Sequence, residues 1–152
     1  MIIERSADGG FEVEILSWQR QMMEGLVPQL RELLLAGDSP AIRRLFPTAY
    51  PSDPKANANY DELVHDQLLE SQLAALDTVE SNLEETNLSE PELYQWMQAI
   101  NSLRLVVGTR LDVSEDDDPD QLLDEDNPDR QLWLIYQLLT EMLSIIVDAL
   151  AS

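Results

Sequence analysis

The chain has 152 residues, a length that predicts one domain, residues 1–152, with a core of its own. Thirty acidic residues against nine basic ones give a formal net charge of -21, which disfavours nucleic acids and anionic membranes as partners and favours basic protein surfaces. The chain has no cysteine, which excludes disulfides, thiolate nucleophiles and cysteine-type zinc sites.

The N-terminal segment lacks the basic region and following apolar run of a secretory signal. No uninterrupted apolar stretch is expected to be long enough to span a bilayer. The sequence therefore predicts a cytoplasmic protein without a membrane partner.

The first 37 residues predict a β-hairpin followed by a helix. Two short apolar runs, 2–5 and 11–15, flank Ala7-Asp8-Gly9-Gly10, a composition typical of a tight hairpin turn within residues 1–15. Apolar residues at helical spacing then predict a helix over 17–36, which Gly37 would end. Pro28 lies inside this helix and is expected to kink or split it near Val27.

Prolines divide the next segment into a short helix, a loop and a long helix. Ser39-Pro40 is a cap followed by a first-turn proline, which predicts a short helix over 41–46. The prolines from Pro40 to Pro54 predict a surface loop over 47–57. Apolar residues repeating at intervals of three and four predict a long helix over 59–85 with an acidic outer face.

The clearest helix start in the chain is at Ser89. Its hydroxyl can cap the helix while Glu92 reaches back to the amide of Ser89, and Leu88 can pack on Leu93 as a hydrophobic staple. Pro91 fits the first turn, whose amides have no helical partner. A helix over 89–111 is therefore predicted.

Arg104 stands where the apolar stripe of this helix requires an apolar residue. Because burying an unpaired guanidinium is very costly, Arg104 is expected to lie largely buried against an acidic residue of a neighbouring helix. Two interpretations remain open: an ion pair that locks helices together, or an anion-recognition group facing a pocket. The candidate partners by helix position are Asp61, Asp66, Glu141 and Asp148.

Residues 112–129 contain ten acidic residues and no basic one, so they predict a partly mobile loop. Asn127-Pro128 then begins a helix that extends to about Leu150 and is apolar almost all round. Such a helix lies at the centre of the bundle or is half covered by a second subunit, as a homodimer contact. The central position is favoured, because a bundle of this size needs one such helix.

Two patterns are candidates for metal binding. Glu62 and His65 have the Glu-x-x-His spacing of di-iron bundles, but that site needs two such motifs and the chain has one histidine. Asp116, Asp118 and Asp120 have the alternating spacing of a calcium loop, although the glycine and the closing glutamate are absent. No catalytic constellation is apparent, and no cofactor is predicted.

The sequence resembles an actinobacterial family known as the domain of unknown function two-zero-one-seven, over nearly its whole length. The matching blocks are Arg44-Leu45-Phe46-Pro47 with Tyr50, Trp96 with 99–104 (AINSLR), 108–111 (GTRL) and the apolar helix after Tyr136. Members often carry basic residues where this chain has Leu69 and Gln72. The resemblance implies no activity. It implies genes beside the adaptor of the Clp protease, and so a link to regulated proteolysis or stress response.

The expected architecture is mainly α: a bundle of four main helices plus a short helix, with a small N-terminal β-hairpin. The expected function is a non-enzymatic regulatory or protein-interaction module, and the alternative is a carboxylate-based metal-binding protein or enzyme. Helix pattern and family resemblance agree that Asn101, Arg104 and Gly108 carry constraint, and with Arg110 these residues are the structural or anion-binding candidates.

Overall fold

The computed structural model describes residues 1–46, 54–111 and 124–152, and gives the backbone alone over 54–62. The protein is mainly helical with a small N-terminal antiparallel sheet, which confirms the expected fold class. In chain order the elements are β1 (Ile2–Arg5), β2 (Phe11–Glu14), α1 (Ser17–Ala36), a 3-10 helix (Pro40–Leu45), α2 (Pro54–Ser81), β3 (Asn87–Leu88), α3 (Glu90–Leu111) and α4 (Arg130–Ala151).

The predicted hairpin is confirmed, and a third strand completes the sheet. β1 and β2 pair antiparallel with Arg5 opposite Phe11, and Gly9 adopts a φ of 89° in the turn between them. This φ lies in the left-handed region, which glycine enters without steric cost. β3, which the sequence analysis did not predict, pairs with the other edge of β2. The sheet therefore joins the N-terminal hairpin to the connection between α2 and α3.

Helix α1 has the predicted bounds and continues through Pro28 without splitting. Pro28 is exposed, and so is Glu24, whose carbonyl loses its helical donor there. Water can hydrate this carbonyl, so the proline does not end the helix. Gly37 ends it as predicted, with a φ of 77° and its N–H donating to the Leu33 carbonyl at 3.0 Å.

The proline-rich segment differs in detail from its prediction. The short helix is of the 3-10 type and begins at Pro40, with the Ser39 hydroxyl accepting from the Ala41 N–H at 3.2 Å. Helix α2 begins at Pro54 and ends at Ser81, so the predicted loop is wrong over 54–57. A proline suits the first turn of a helix, where its missing N–H costs nothing. The rest of that predicted loop, 47–53, lies outside the described residues.

The capping box at the start of α3 is formed as predicted. The Ser89 N–H donates to Glu92 Oε1 at 2.9 Å, and the Glu92 N–H donates to Ser89 Oγ at 3.2 Å. Asn82 Nδ2 also donates to Glu92 Oε2 at 2.8 Å, so this carboxylate links the end of α2 to the start of α3. These hydrogen bonds, those with Ser89 first, lower the pKa of the Glu92 carboxyl below its ordinary value.

Replacing Glu92 with alanine should lower the free energy of unfolding at neutral pH by about 1–2 kcal/mol, because two hydrogen bonds to a carboxylate are lost. Since folding lowers the pKa of Glu92, its contribution is fully present above the unfolded pKa of about 4.3. The contribution is lost as the pH falls through the lower, folded value. Urea unfolding of the natural chain and of Glu92→Ala from pH 7 to pH 3 would measure this effect. The difference between their free energies of unfolding should decrease as the pH falls.

Glu85→Ala is the matched control, because the Glu85 side chain is exposed and forms no hydrogen bond with the described residues. It removes the same charge close in sequence, so it corrects for the general effect of a less negative surface. An equal loss of stability in both variants would contradict a specific role for Glu92.

Helix α3 is the central helix of the described structure. It packs against α4, α2, the 3-10 helix and α1, and its buried residues include Leu93, Trp96 and Ile100. Helix α4 packs mainly against α3 and touches β1, and four of its 22 residues are buried, namely Trp133, Leu139, Met142 and Ile146. The prediction of a central C-terminal helix is therefore wrong. Its apolar composition exceeds what its contacts within the described structure bury.

Candidate anion and partner binding site

Arg104 lies on α3 where that helix faces α4, but its partners differ from those predicted. Its Nε donates to Thr140 Oγ1 at 2.9 Å, and its guanidinium carbon lies 5.1 Å from the centre of the Tyr136 ring. Arg104 is half-buried, and no carboxylate among the described residues forms an ion pair with it. Among the described residues, the predicted acidic partner of Arg104 is therefore not found. A hydroxyl and an aromatic face stabilise the guanidinium instead.

Three of the four predicted acidic partners are exposed and form no ion pair with Arg104. Asp66, Glu141 and Asp148 are exposed, and Asp61 belongs to the range described by its backbone alone. Glu141 directly follows Thr140, so a rotation of about 100° along α4 separates it from the residue that Arg104 contacts. The helical period identified the face of Arg104 correctly, but it could not show which residue of α4 lies opposite.

Gly108 allows a second arginine to approach the same tyrosine. A β-carbon on Gly108 would lie 3.1 Å from Cε2 of Tyr136 and 3.4 Å from Nη1 of Arg44. A larger residue on α3 would push against both, so the glycine provides the space in which the Tyr136 ring and Arg44 meet the helix. We call Arg44, Arg104, Gly108, Tyr136 and Thr140 the arginine cluster.

Two members of this cluster, Arg104 and Gly108, were predicted from the sequence as candidate site residues, and the roles of the other three were not. Arg44 lay in a block matched to the family, and Tyr136 and Thr140 lay on a helix considered only for its apolar residues. A signal was available for Tyr136, because an arginine on a helix face is often held by an aromatic ring. Which ring would do so depends on how α3 and α4 pack.

The two remaining candidates do not join the cluster by any direct contact. Asn101 is half-buried one turn before Arg104, and its side chain forms no hydrogen bond with the described residues. Arg110 is exposed in the last turn of α3 and, within the same described part of the chain, forms no ion pair. Arg110 is well placed to interact with the negative end of the helix dipole.

A shallow groove of about 580 Å³ runs along α4 beside the arginine cluster. Its lining residues all belong to α4: Trp133, Tyr136, Gln137, Thr140, Glu141, Ser144 and Ile145. Trp133 stacks on Tyr136 with ring centres 5.3 Å apart, and the indole N–H of Trp133 is buried without a hydrogen-bond partner. Tyr136 and Thr140 are thus shared between the groove and the arginine cluster.

The metal candidates gain no support from the described residues. The His65 ring packs on Phe46, with ring centres 4.4 Å apart, and the side chain of Glu62 lies outside the description. Asp116, Asp118 and Asp120 lie outside the described residues altogether. In the parts of the chain that the structure describes, no group of three histidine or acidic residues could hold a metal ion.

Helix α4 is long and apolar enough to cross a membrane by length and composition, although Glu141 and Asp148 interrupt its apolar sequence. That property is weak evidence for a membrane span, since the core helix of a soluble protein passes the same test. Only 17% of its most apolar window is buried within the protein. Most of the remaining apolar side chains of α4 are half-buried and Val147 is exposed, so part of the apolar surface of this helix is not covered by the described chain.

Comparison with known families gives one match. The family model described as "Domain of unknown function (DUF2017)" matches residues 1–150, and the chain belongs to this family, as its resemblance predicted. Searches of curated proteins and of solved structures find no match.

Proposed function

Because the family match brings no activity with it, we propose from the geometry that this protein is a non-enzymatic interaction module whose protein partner docks along α4. The observation that carries the proposal is the mismatch between the apolar composition of α4 and its partial burial. Val147 is 44% exposed on this helix, and Ile145 lines the groove. Exposed apolar surface of this kind is typical of a protein contact.

The shape of the surface favours a helical segment as the docking element. The groove follows one side of α4, with residues spaced three and four apart, which is the spacing at which an amphipathic helix packs. Thr140 and Ser144 add hydroxyl groups that can orient such a helix. The chain's net charge of -21 favours a partner that carries basic residues beside its apolar face.

We place this interaction in the cytoplasm, with no role for nucleic acid or membrane. The family resemblance implies partners in Clp-dependent proteolysis or the stress response, so the Clp adaptor is the first protein to test. A second copy of the chain is the other partner to test, through the same helix. Nothing among the described residues favours the metal-binding or enzymatic alternative.

Site-specific photocrosslinking would test the docking surface. A photoreactive amino acid at Val147 should form one main crosslinked product with the partner in cells, because this side chain projects from the exposed side of α4. Replacing Ile145 with aspartate in the same protein should abolish the product, since a charge in the groove must be desolvated on docking. Mass spectrometry of the product would distinguish the Clp adaptor, a second copy or another protein.

Leu35 is the matched control, because it is a large apolar residue on α1 with 65% exposure. The same photoreactive residue at Leu35 should give no product that depends on Ile145. Circular dichroism would verify that the Ile145→Asp variant is folded. Equal crosslinking from both positions, or a product that persists in the folded Ile145→Asp variant, would contradict docking along α4.

A further inference from the structure

The described arginines of this acidic protein differ in whether a carboxylate lies nearby. Arg5, Arg20 and Arg31 each have carboxylates nearby: Glu90 at 3.7 Å, Glu84 at 3.6 Å, and both Asp77 at 2.9 Å and Glu80 at 3.1 Å. Arg44 and Arg104 have no ion pair with any described residue. Arg43 and Arg110 likewise form no ion pair with the described residues, but Arg44 and Arg104 are the two that lie near the same tyrosine, Tyr136.

Both guanidinium groups lie around one aromatic ring. Arg104 is held over the face of Tyr136 at 5.1 Å, and Thr140 accepts from its Nε, while no described residue accepts a hydrogen bond from its terminal Nη groups. Arg44 Nη1 and Tyr136 Cε2 lie 3.4 Å and 3.1 Å from the position that a β-carbon on Gly108 would occupy. Two positive charges near the same ring both attract an anion, and its oxygens can accept hydrogen bonds from each guanidinium group.

We infer that Arg44 and Arg104 bind a single phosphate monoester group at the edge of the α4 groove. A phosphate carries about -1.5 to -2 charges and several acceptor oxygens, so it matches two guanidinium groups that approach from different elements. A lone carboxylate carries one charge and can be satisfied by one arginine. The overall charge of -21 repels polyanions such as nucleic acids more strongly than it repels a single phosphate group, so an isolated phosphate is the expected ligand.

This inference deepens the proposed function, because Tyr136 and Thr140 also line the docking groove. The phosphate has two possible sources: a phosphorylated side chain of the docked partner, or a small phosphate ester. The two sources share the same chemistry at the arginines. They differ in whether the rest of the ligand contacts α4.

The test is an NMR titration of the full chain at constant ionic strength. Inorganic phosphate should move the Gly108 amide and the Tyr136 ring signals and reach saturation, with a dissociation constant on the order of 1–10 mM. Arg44→Met and Arg104→Met should each weaken binding roughly tenfold or more, through loss of one charge-assisted contact. Arg43→Met is the matched control, since Arg43 is an exposed neighbour that makes no contact with the Gly108 position, and it should leave binding within about threefold.

Two further probes separate the sources. A short neutral peptide with one phosphoserine should bind more tightly than inorganic phosphate if the partner supplies the group, whereas glycerol phosphate should do so if the ligand is small. Either result supports the site. Absence of saturation with phosphate, equal effects of Arg43→Met and Arg44→Met, or acetate binding as tightly as phosphate would overturn it.

Loss of the site and loss of the docking surface can be distinguished. Ile145→Asp should abolish crosslinking from Val147 and leave phosphate binding intact, because Ile145 is not part of the arginine cluster. Arg44→Met should weaken the binding of inorganic phosphate and leave crosslinking from Val147 in place. Thermal unfolding of Arg104→Met would show whether a variant that binds phosphate more weakly is still folded. Arg44 is exposed, so Arg44→Met tests the same site with little risk to the fold.

Discussion

Trp96→Ala should lower the free energy of unfolding by about 3–5 kcal/mol, the largest effect that we expect from a single substitution in this chain. Trp96 is fully buried on α3, the helix that contacts α1, α2, the 3-10 helix and α4. Its removal would leave a large cavity where these elements meet, and the surrounding helices can collapse into it only in part. Urea unfolding followed by circular dichroism would measure the loss.

Trp96→Phe separates the packing of the ring from the role of its polar atom. The indole N–H of Trp96 is buried and has no hydrogen-bond partner among the described residues, so removing it costs no hydrogen bond seen there and relieves an unsatisfied donor. The phenylalanine variant should therefore keep most of the stability that the alanine variant loses. Equal losses in the two variants would show that the N–H has a partner in solution.

Gly10→Ala should lower the free energy of unfolding by about 1–3 kcal/mol, through a clash with the main chain. A β-carbon on Gly10 would lie 2.9 Å from the Leu88 carbonyl oxygen, closer than such atoms approach in proteins. The carbonyl belongs to β3, so β3 must move away from the sheet and weaken its pairing with β2. Thermal unfolding should show a lower midpoint, and amide exchange at residues 87–88 should become faster.

Gly25→Ala is the opposite case and serves as the control. Gly25 lies inside α1 with no atom within 4 Å of its β-carbon position, so alanine fits freely. Because glycine destabilises a helix interior by about 0.5–1 kcal/mol relative to alanine, this variant should be more stable than the natural chain. A destabilised Gly25→Ala, or an unaffected Gly10→Ala, would contradict the packing described around these two glycines.

Local signals in the sequence predicted the local structure well. The Ser89 and Glu92 pattern forms its capping box, Gly37 ends α1, and Asp8-Gly9-Gly10 lies in the hairpin turn. Each of these features depends on residues only a few positions apart, so it can be predicted without the tertiary contacts. The two-residue strand β3 was missed because it is too short to show an alternating pattern and depends on its pairing with β2.

The candidate site was only partly predictable, because it depends on contacts between elements that are far apart in the sequence. The apolar stripe of α3 showed that Arg104 faces inward, but the residues opposite it depend on how α4 packs, which no periodicity within α3 encodes. The role of Arg44 depends on the 3-10 helix meeting α3 at Gly108. The central position assigned to α4 was wrong because an apolar composition does not distinguish a helix buried by its own chain from one that offers a surface to a partner.

The central place of α3 has a consequence for how the sequence can change over evolution. A substitution on α3 must suit neighbours on several elements at once, whereas one on the outer side of α4 must suit only solvent or a partner. Compensating changes for α3 would have to arise in more than one element together. In the proposed docking mode, descendants of this chain could therefore change their partner through substitutions on α4 while α3 remains nearly fixed.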